Sequence, residues 1–430
     1  MTSMTYLLLL STLTASAAEV LDVDAVTGLA ERRALDASDA ELSLLQQEIA
    51  LHQARLAWTP TVSLRLGSQG SLGRTFSEQL GANVTQPIAS LSTSLSASMP
   101  LYQGGALVAD RRAAAASTDA ARHTREQTLQ DLRWTAVDGL LAVGQAQDAL
   151  AVQQAALSAD MALWDQVKLQ VEAGSASPAD RYAQEAVVAA RRSAVAAAAQ
   201  SQRNAELSLL TLLRLDPTQA WAFGPPDEVR AVAYEGDGVA LTDVALGQRS
   251  DLRAASERIV AAQQAERSAR AAYMPSVSLG AGASTSWLST RDATWATQLQ
   301  DQARAWVSLD VSVPILNRGV RRGQVQSASV SVRAAEVASQ RLQDQVQLDV
   351  HRLIAAEAAA EASVASSAAS VEAAREAARV RELRYSTGAE TLVAVTSARA
   401  DLVDAELELS RATASLQRVR YEMWWTLGDA

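Results

Sequence analysis

Between Ala305 and Gly323 the chain changes its hydrophobic period once, and abruptly. Val307, Leu309, Val311 and Val313 alternate with Ser308, Asp310 and Ser312, the period of two that gives a strand one apolar and one polar face. Pro314 ends sheet pairing, Gly319 permits a change of direction, and an Ala-rich helical pattern then runs for about sixty residues. The same device occurs earlier. Leu91, Thr93, Leu95, Ala97 and Met99 alternate with Ser92, Ser94, Ser96 and Ser98, and Pro100 to Gly105 leads into a second long helical pattern.

In chain order, a helix is predicted over 37–57, with Asp36 or Asp39 as N-cap, stopped by Trp58-Thr59-Pro60. Strands follow at 61–68 and 88–99, joined by a polar loop from about Gln69 to Thr85. No proline interrupts 106–172, so one helix of roughly 100 Å is allowed at about 1.5 Å per residue. Within it Val143, Leu150, Leu157, Trp164 and Val171 recur every seven residues, the mark of a coiled-coil seam. Gly174 stops that helix, and Ser177-Pro178 starts a return helix over 178–213.

A linker rich in Gly and Pro covers 216–248, and then the pattern repeats. Pro60 returns as Pro275, Pro100 as Pro314, Gly105 as Gly319 and Gly174 as Gly388, with offsets of 214 or 215. This predicts a duplication: repeat 1 over 19–215, and repeat 2 over 249–430 with helix 251–272, strands 276–287 and 305–313, and helices 320–386 and 390–427. Pro60, Pro100, Gly105, Pro275, Pro314 and Gly319 are the expected joints between strands and helices. Trp287 falls where its strand would meet a membrane interface.

Composition narrows the function. Of 430 residues about half are apolar, mostly Ala, Val and Leu, which suits long helices in close lengthwise contact. A net charge of −10 argues against a nucleic-acid partner. With no cysteine there is no disulfide, thiolate metal site or lipidated cysteine. His52, His123 and His351 are isolated, so neither a metal centre, a cofactor nor a catalytic site is expected. Residues 1–18, with an apolar core from Tyr6 to Leu10 ending in Ala15-Ser16-Ala17-Ala18, read as a secretion signal. Beyond it no window holds eighteen uninterrupted apolar residues, so any membrane span must be made of strands.

Four amphipathic strands cannot stand alone in lipid, because two sheet edges would leave unpaired backbone groups in hydrocarbon. Two chains would close eight strands and three would close twelve around a lumen. The faces expected inside carry Ser, Gly and Thr with Arg65, Ser308, Asp310 and Ser312, which suits a water-filled interior and favours three. A soluble sheet with one wet face explains the alternation too, but no further strands are available for it to pack on.

The chain resembles the TolC-like outer-membrane efflux (outer membrane factor) family from about Leu42 to Leu427. The resemblance rests on Ala54 to Pro60, Ala269 to Pro275, Ser312 to Gly319, Arg249 to Ala254 and Arg384 to Gly388, in this order and duplicated. It implies a mainly α protein with a membrane β-barrel portion, whose homotrimer forms a twelve-stranded barrel continued by a periplasmic α-helical barrel. The function implied is the outer-membrane exit duct of a tripartite pump or type I secretion system. Its partners would be a periplasmic adaptor, an inner-membrane transporter and outer-membrane lipid.

In that family the tunnel closes just after the glycine turns. By alignment on those glycines the gate falls on Asp180 and Tyr385, whose phenol is placed to donate to the carboxylate, with Arg181 and Arg384 as candidate replacements for a missing arginine. The family carries that arginine where this chain has Glu390, and aspartates where it has Ala394 and Ser397. The aperture is therefore expected to lack an acidic ring. Gly174, Ser175, Gly388 and Ala389 would form the tips that dock the adaptor. A periplasmic coiled-coil adaptor or a self-assembling structural protein is the alternative, but the lipoyl-like β-domain that an adaptor needs is missing.

Overall fold

A computed structural model describes residues 20–77, 81–224, 238–291, 293–316 and 318–428. The expected signal segment, Asn317 and the middle of the inter-repeat linker lie outside the described residues. The elements in order are β1 (Val20–Leu21), α1 (Val23–Arg33), α2 (Leu35–Leu56), β2 (Thr61–Ser77), β3 (Ala82–Gln103), α3 (Ala106–Glu172) and α4 (Pro178–Leu212). They continue with β4 (Ala222–Phe223), α5 (Val239–Gln248), α6 (Ser250–Ala271), β5 (Ser276–Leu288), α7 (Trp295–Asp301), β6 (Arg304–Ser312), α8 (Val320–Ser386) and α9 (Leu392–Leu427). α3 and α8 are each 67 residues long and start 214 positions apart (320 − 106).

Two compact units emerge, and they cut across the repeats. One comprises the chain up to Glu41, Thr124–Ser250 and the chain from Leu342 on; the other comprises Leu42–His123 and Asp251–Arg341. The first unit holds a core of Leu21, Val26, Ala30, Leu132, Leu140, Val143, Leu209, Leu210 and Leu213, where α1, α3 and α4 meet. Gly139 permits that meeting, since a Cβ there would lie 3.0 Å from Leu209 Cδ1. α1 is an element the sequence reading lacked. It starts at Asp22, whose carboxylate accepts from the Ala25 amide, and α2 follows from Leu35, so Asp36 is a first-turn acid rather than the expected N-cap.

The second unit holds a four-stranded antiparallel sheet in the order β2-β3-β5-β6. Its first hairpin corrects the sequence reading. Pairing is unbroken from Thr61↔Ser98 to Ser77↔Ala82, so residues 69–77 and 82–85 of the segment expected as a loop are strand. Ladder bonds are made by backbone, and small Gly and Ser residues on both faces do not oppose them. Loss of alternation marked the end of a one-sided apolar environment, not the end of the strand. β3 likewise runs past Pro100 to Gln103, because the register shifts between Pro100 and Tyr102 and the bulge absorbs the missing N–H. Pro314 does lie beyond its strand, which ends at Ser312.

Candidate functional site

Two regions carry the candidate residues, one in each unit. In the first unit α3 and α8 end alike. Gly174 adopts φ +74° and Gly388 φ +76°. The Ser175 amide donates to Gln170 O and the Gly174 amide to Val171 O, and Ala389 and Gly388 repeat this on Arg384 O and Tyr385 O. These are paired Schellman stops, in which a left-handed glycine turns the next amides back onto orphan carbonyls. The chain restarts three residues later in both. Ser177 caps α4 and Thr391 caps α9, the latter accepting from the Ala394 amide. Asp180 completes a capping box at α4, whereas its counterpart at α9 is Ala394. Gly174, Ser175, Gly388 and Ala389 are all exposed.

The expected hydrogen bond between Tyr385 and Asp180 is not formed. The Asp180 carboxylate accepts from the Ser177 amide at 3.3 Å, and the Tyr385 phenol donates to Gln170 Oε1 at 3.1 Å instead. The capping role holds the carboxylate at its own helix start, while the Gln170 amide lies on the helix that Tyr385 faces. Burial pushes the Tyr385 phenol above its ordinary pKa, and the negative charge of Asp180 adds to the shift. Tyr385 and Val171 pack on a small core of Leu163, Val167, Leu392 and Val395. Of the expected seam, Leu150, Leu157, Trp164 and Val171 are only half-buried, and the fully buried positions toward this end are Asp160, Leu163 and Val167.

Neither arginine expected near the gate closes an ion pair among the described residues. Arg181 lies over the Tyr182 ring at 4.7 Å. Arg384 is exposed, and its carbonyl accepts from Thr387 Oγ1 at 2.9 Å. Glu390 accepts from the Thr391 amide at 3.3 Å. Sequence reading missed Gln170 altogether, and its one visible signal was a position four residues before Gly174.

In the second unit the register sorts the strand residues onto faces. Ser308 pairs with Gly280, Asp310 with Ser278 and Ser312 with Ser276. Arg65 pairs with Ser94, Ser94 with Ser284 and Ser284 with Arg304. Paired residues share a face, so Arg65, Ser308, Asp310 and Ser312 lie on one, and Ser308 Oγ donates to Asp310 Oδ2 at 2.8 Å. Val62, Leu64, Leu66, Val307, Leu309 and Val311 occupy the other, all of them exposed in the single chain. Trp306 sits on the polar face, which the alternation did not suggest. Its indole covers Gly280 and Gly282, where a Cβ would fall 3.0 and 2.8 Å from the ring.

The joints flank the strands: Pro60 precedes β2, Pro275 precedes β5, and Gly105 (φ +89°) and Gly319 (φ +77°) precede α3 and α8. Gly104 matters as much and was not singled out. At φ +63° its Cβ would lie 2.5 Å from Ala271 O and 2.6 Å from Met274 Cβ. No helix among the described residues is long and apolar enough to cross a membrane, and they hold no group of three or more His, Asp or Glu that could bind a metal.

Comparison with known proteins agrees with these features. The chain is 25% identical over 360 residues to the pyoverdine export outer membrane protein OpmQ of Pseudomonas putida, covering 82% of this chain and 73% of that protein. It shares its fold with CusC (TM-score 0.82, 18% identity, 97% of this chain and 96% of that one). VceC of Vibrio cholerae is similar (TM-score 0.79, 18% identity, 94% and 96%). The sequence profile of outer membrane efflux proteins matches residues 26–213 and 241–422. The chain therefore belongs to the outer membrane efflux protein family and is an outer-membrane efflux channel.

Proposed function

We propose that three copies of the chain close a twelve-stranded barrel continued by an α-helical barrel, and that this trimer is the exit duct of a tripartite pump or type I secretion system. Each copy contributes two repeats, 19–215 and 249–430. The observation that carries this reading is the open sheet, whose edge strands β2 and β6 have no further partner among the described residues. Apolar side chains project from one face of each, Leu64 at 64% and Leu309 at 62% exposure. In lipid such edges must be closed by another copy. Exposed Leu35, Leu42, Leu45, Ile49 and Leu56 on α2 follow a spacing of sevens, threes and fours, the stripe a neighbouring helix would cover.

In this duct Arg65, Ser308, Asp310 and Ser312 face the water-filled lumen, and Pro60, Pro100, Gly105, Pro275, Pro314 and Gly319 join barrel to tunnel. The tips at Gly174, Ser175, Gly388 and Ala389 meet a periplasmic adaptor, which brings substrate from an inner-membrane transporter. Tyr385, Asp180, Glu390, Arg181 and Arg384 surround the periplasmic aperture. The test is fractionation followed by electrophoresis without boiling. An outer-membrane, SDS-resistant trimer that collapses to monomer on heating is expected, and a monomer in the inner membrane would overturn the reading.

A further inference from the structure

Three charged residues of the first unit are buried among the described residues, Asp160, Arg249 and Glu357, and Asp160 is the most enclosed of them. The Asp160 side chain, on α3, is 3% exposed. Arg191 of α4 reaches it through Nε at 3.1 Å and Arg399 of α9 through Nη1 at 3.6 Å. Arg399 also donates from Nε to Glu382 of α8 at 2.6 Å and from Nη1 to Ala159 O at 2.8 Å. Arg191 donates from Nη1 to Gln153 Oε1 at 3.2 Å, and the Gln184 amide donates to Asp160 O at 3.0 Å. One carboxylate thus gathers α3, α4 and α9 directly, and α8 through the second arginine. The two carboxylates and two guanidiniums balance, which is the condition under which charge tolerates burial.

The duplication shows that this cluster is not a by-product of helix packing. At the offset of 214, Asp160 and Arg191 correspond to Ala374 and Ala405, while Glu382 and Arg399 correspond to Lys168 and Glu185. Repeat 2 has lost the charge at the first two positions, and repeat 1 carries reversed charge at the last two. The hub therefore forms at one seam, α3 against α9, and the pseudo-equivalent seam of α8 against α4 has no residue to build it.

We propose that Asp160 and Arg399 are the clasp that holds the α8–α9 hairpin against the α3–α4 hairpin, and so set the closed state of the duct. The tip contact cannot do this alone. Tyr385 to Gln170 is a neutral, half-buried hydrogen bond that water replaces at small net cost. Separating Arg399 from Asp160 instead leaves a nearly buried carboxylate with one fewer cation, a state the protein strongly disfavours. Opening therefore requires a partner that compensates the clasp, whereas thermal fraying frees only the tip. Asp160 is a positioning residue, since its side chain lies within the helix packing.

The proposal rests on the duct reading and is tested on full-length trimers in planar bilayers, with trimer integrity followed by SDS resistance. Asp160→Asn and Arg399→Met are expected to raise the open fraction roughly tenfold or more, the scale of losing one partner of a buried ion pair. Arg399→Lys, which retains the charge, is expected to stay near wild type. Because the chain has no cysteine, a Gln170→Cys, Tyr385→Cys pair can then be oxidised across the tip in the Asp160→Asn background, and closure should return. Intact Asp160→Asn and Arg399→Met trimers that conduct like wild type would overturn the proposal. So would a leak that the disulfide does not close, or a failure of both variants to assemble, which would make Asp160 a folding residue only. Wild-type trimers that form no pore would overturn the duct reading itself, a result distinct from all of these.

Discussion

The phenol of Tyr385 donates to Gln170 Oε1 across 3.1 Å, tying the last turn of α8 to the last turn of α3 in the same chain. Asp180, the carboxylate expected to receive it, is engaged with the Ser177 amide at the start of α4. The two residues can therefore be separated by mutation. Tyr385→Phe removes one neutral hydrogen bond, about 0.5–1.5 kcal/mol, and should raise the leak through purified trimers in planar bilayers by less than loss of the Asp160–Arg399 contact does. Asp180→Asn leaves that bond in place, weakens the capping box by about 1 kcal/mol or less, and should change the leak far less. An equal effect of both would place the gate on the carboxylate.

The aperture should respond weakly to multivalent cations. Ala394 and Ser397 stand where the resembling family has aspartates, and Glu390 is turned to its neighbouring amide. Di- or trivalent cations added from the periplasmic side of planar bilayers are expected to leave most of the current. Strong block would show that acidic groups ring the aperture after all.

Faces of the sheet can be read chemically in a chain that has no native thiol. Ser308 lies beside Asp310 on the polar face, and Leu309 lies on the apolar one at 62% exposure in the single chain. A membrane-impermeant maleimide applied to whole trimers in membranes should modify Ser308→Cys and spare Leu309→Cys. The reverse pattern would turn the barrel inside out.

The joint before α8 carries strain that the joint before α3 avoids. Arg318 sits at φ +55°, and 214 residues earlier the position is Gly104 at φ +63°. A left-handed conformation costs a side-chain-bearing residue about 1–2 kcal/mol, so Arg318→Gly should stabilise the protein by about 1 kcal/mol in thermal unfolding. Gly104→Ala should do the opposite and by more, because its Cβ would fall 2.5 Å from Ala271 O, which cannot step aside.

Glu422 supplies a pH test. Burial raises its pKa above the ordinary carboxylate value, and Asp349 and Asp138 contribute in the same direction, against the opposing pull of Arg352 and Arg418. A carboxyl whose folded-state pKa is raised favours the fold when protonated, so its contribution is present at acid pH and is lost as pH rises through the raised value. Glu422→Gln should therefore raise the melting temperature at neutral pH. That gain should fade as pH falls through the raised value and be gone below about 4.3, the ordinary glutamate range.

Where the local pattern depends only on nearest neighbours along the chain, it was legible. Period-two runs located the four strands, Gly174 and Gly388 located the helix stops, and Ser177-Pro178 located the restart, since each acts through backbone dihedrals or capping bonds within a few residues. The constant offset also matches α3 and α8, two helices of 67 residues that start 214 positions apart. α1, α5 and α7 escaped because they are short, the second of them inside the stretch expected as linker, and α1 is held by burial such as that of Val26 and Ala30. Segment 69–85 was misread because alternation reports the environment of a strand and not its pairing.

The sequence by itself determined the long helices, their stops, the two-faced strands and the absence of thiol chemistry, because these are properties of short stretches and of composition. Only the tertiary structure decided which side chains meet. Gln170 receives Tyr385, Trp306 covers two glycines of the neighbouring strand, and Asp160 collects two arginines from helices that begin or end far from it in the chain. Such contacts depend on the relative rotation and stagger of packed helices and on strand register. No single helix or strand encodes those quantities, which arise from the packing of all of them together.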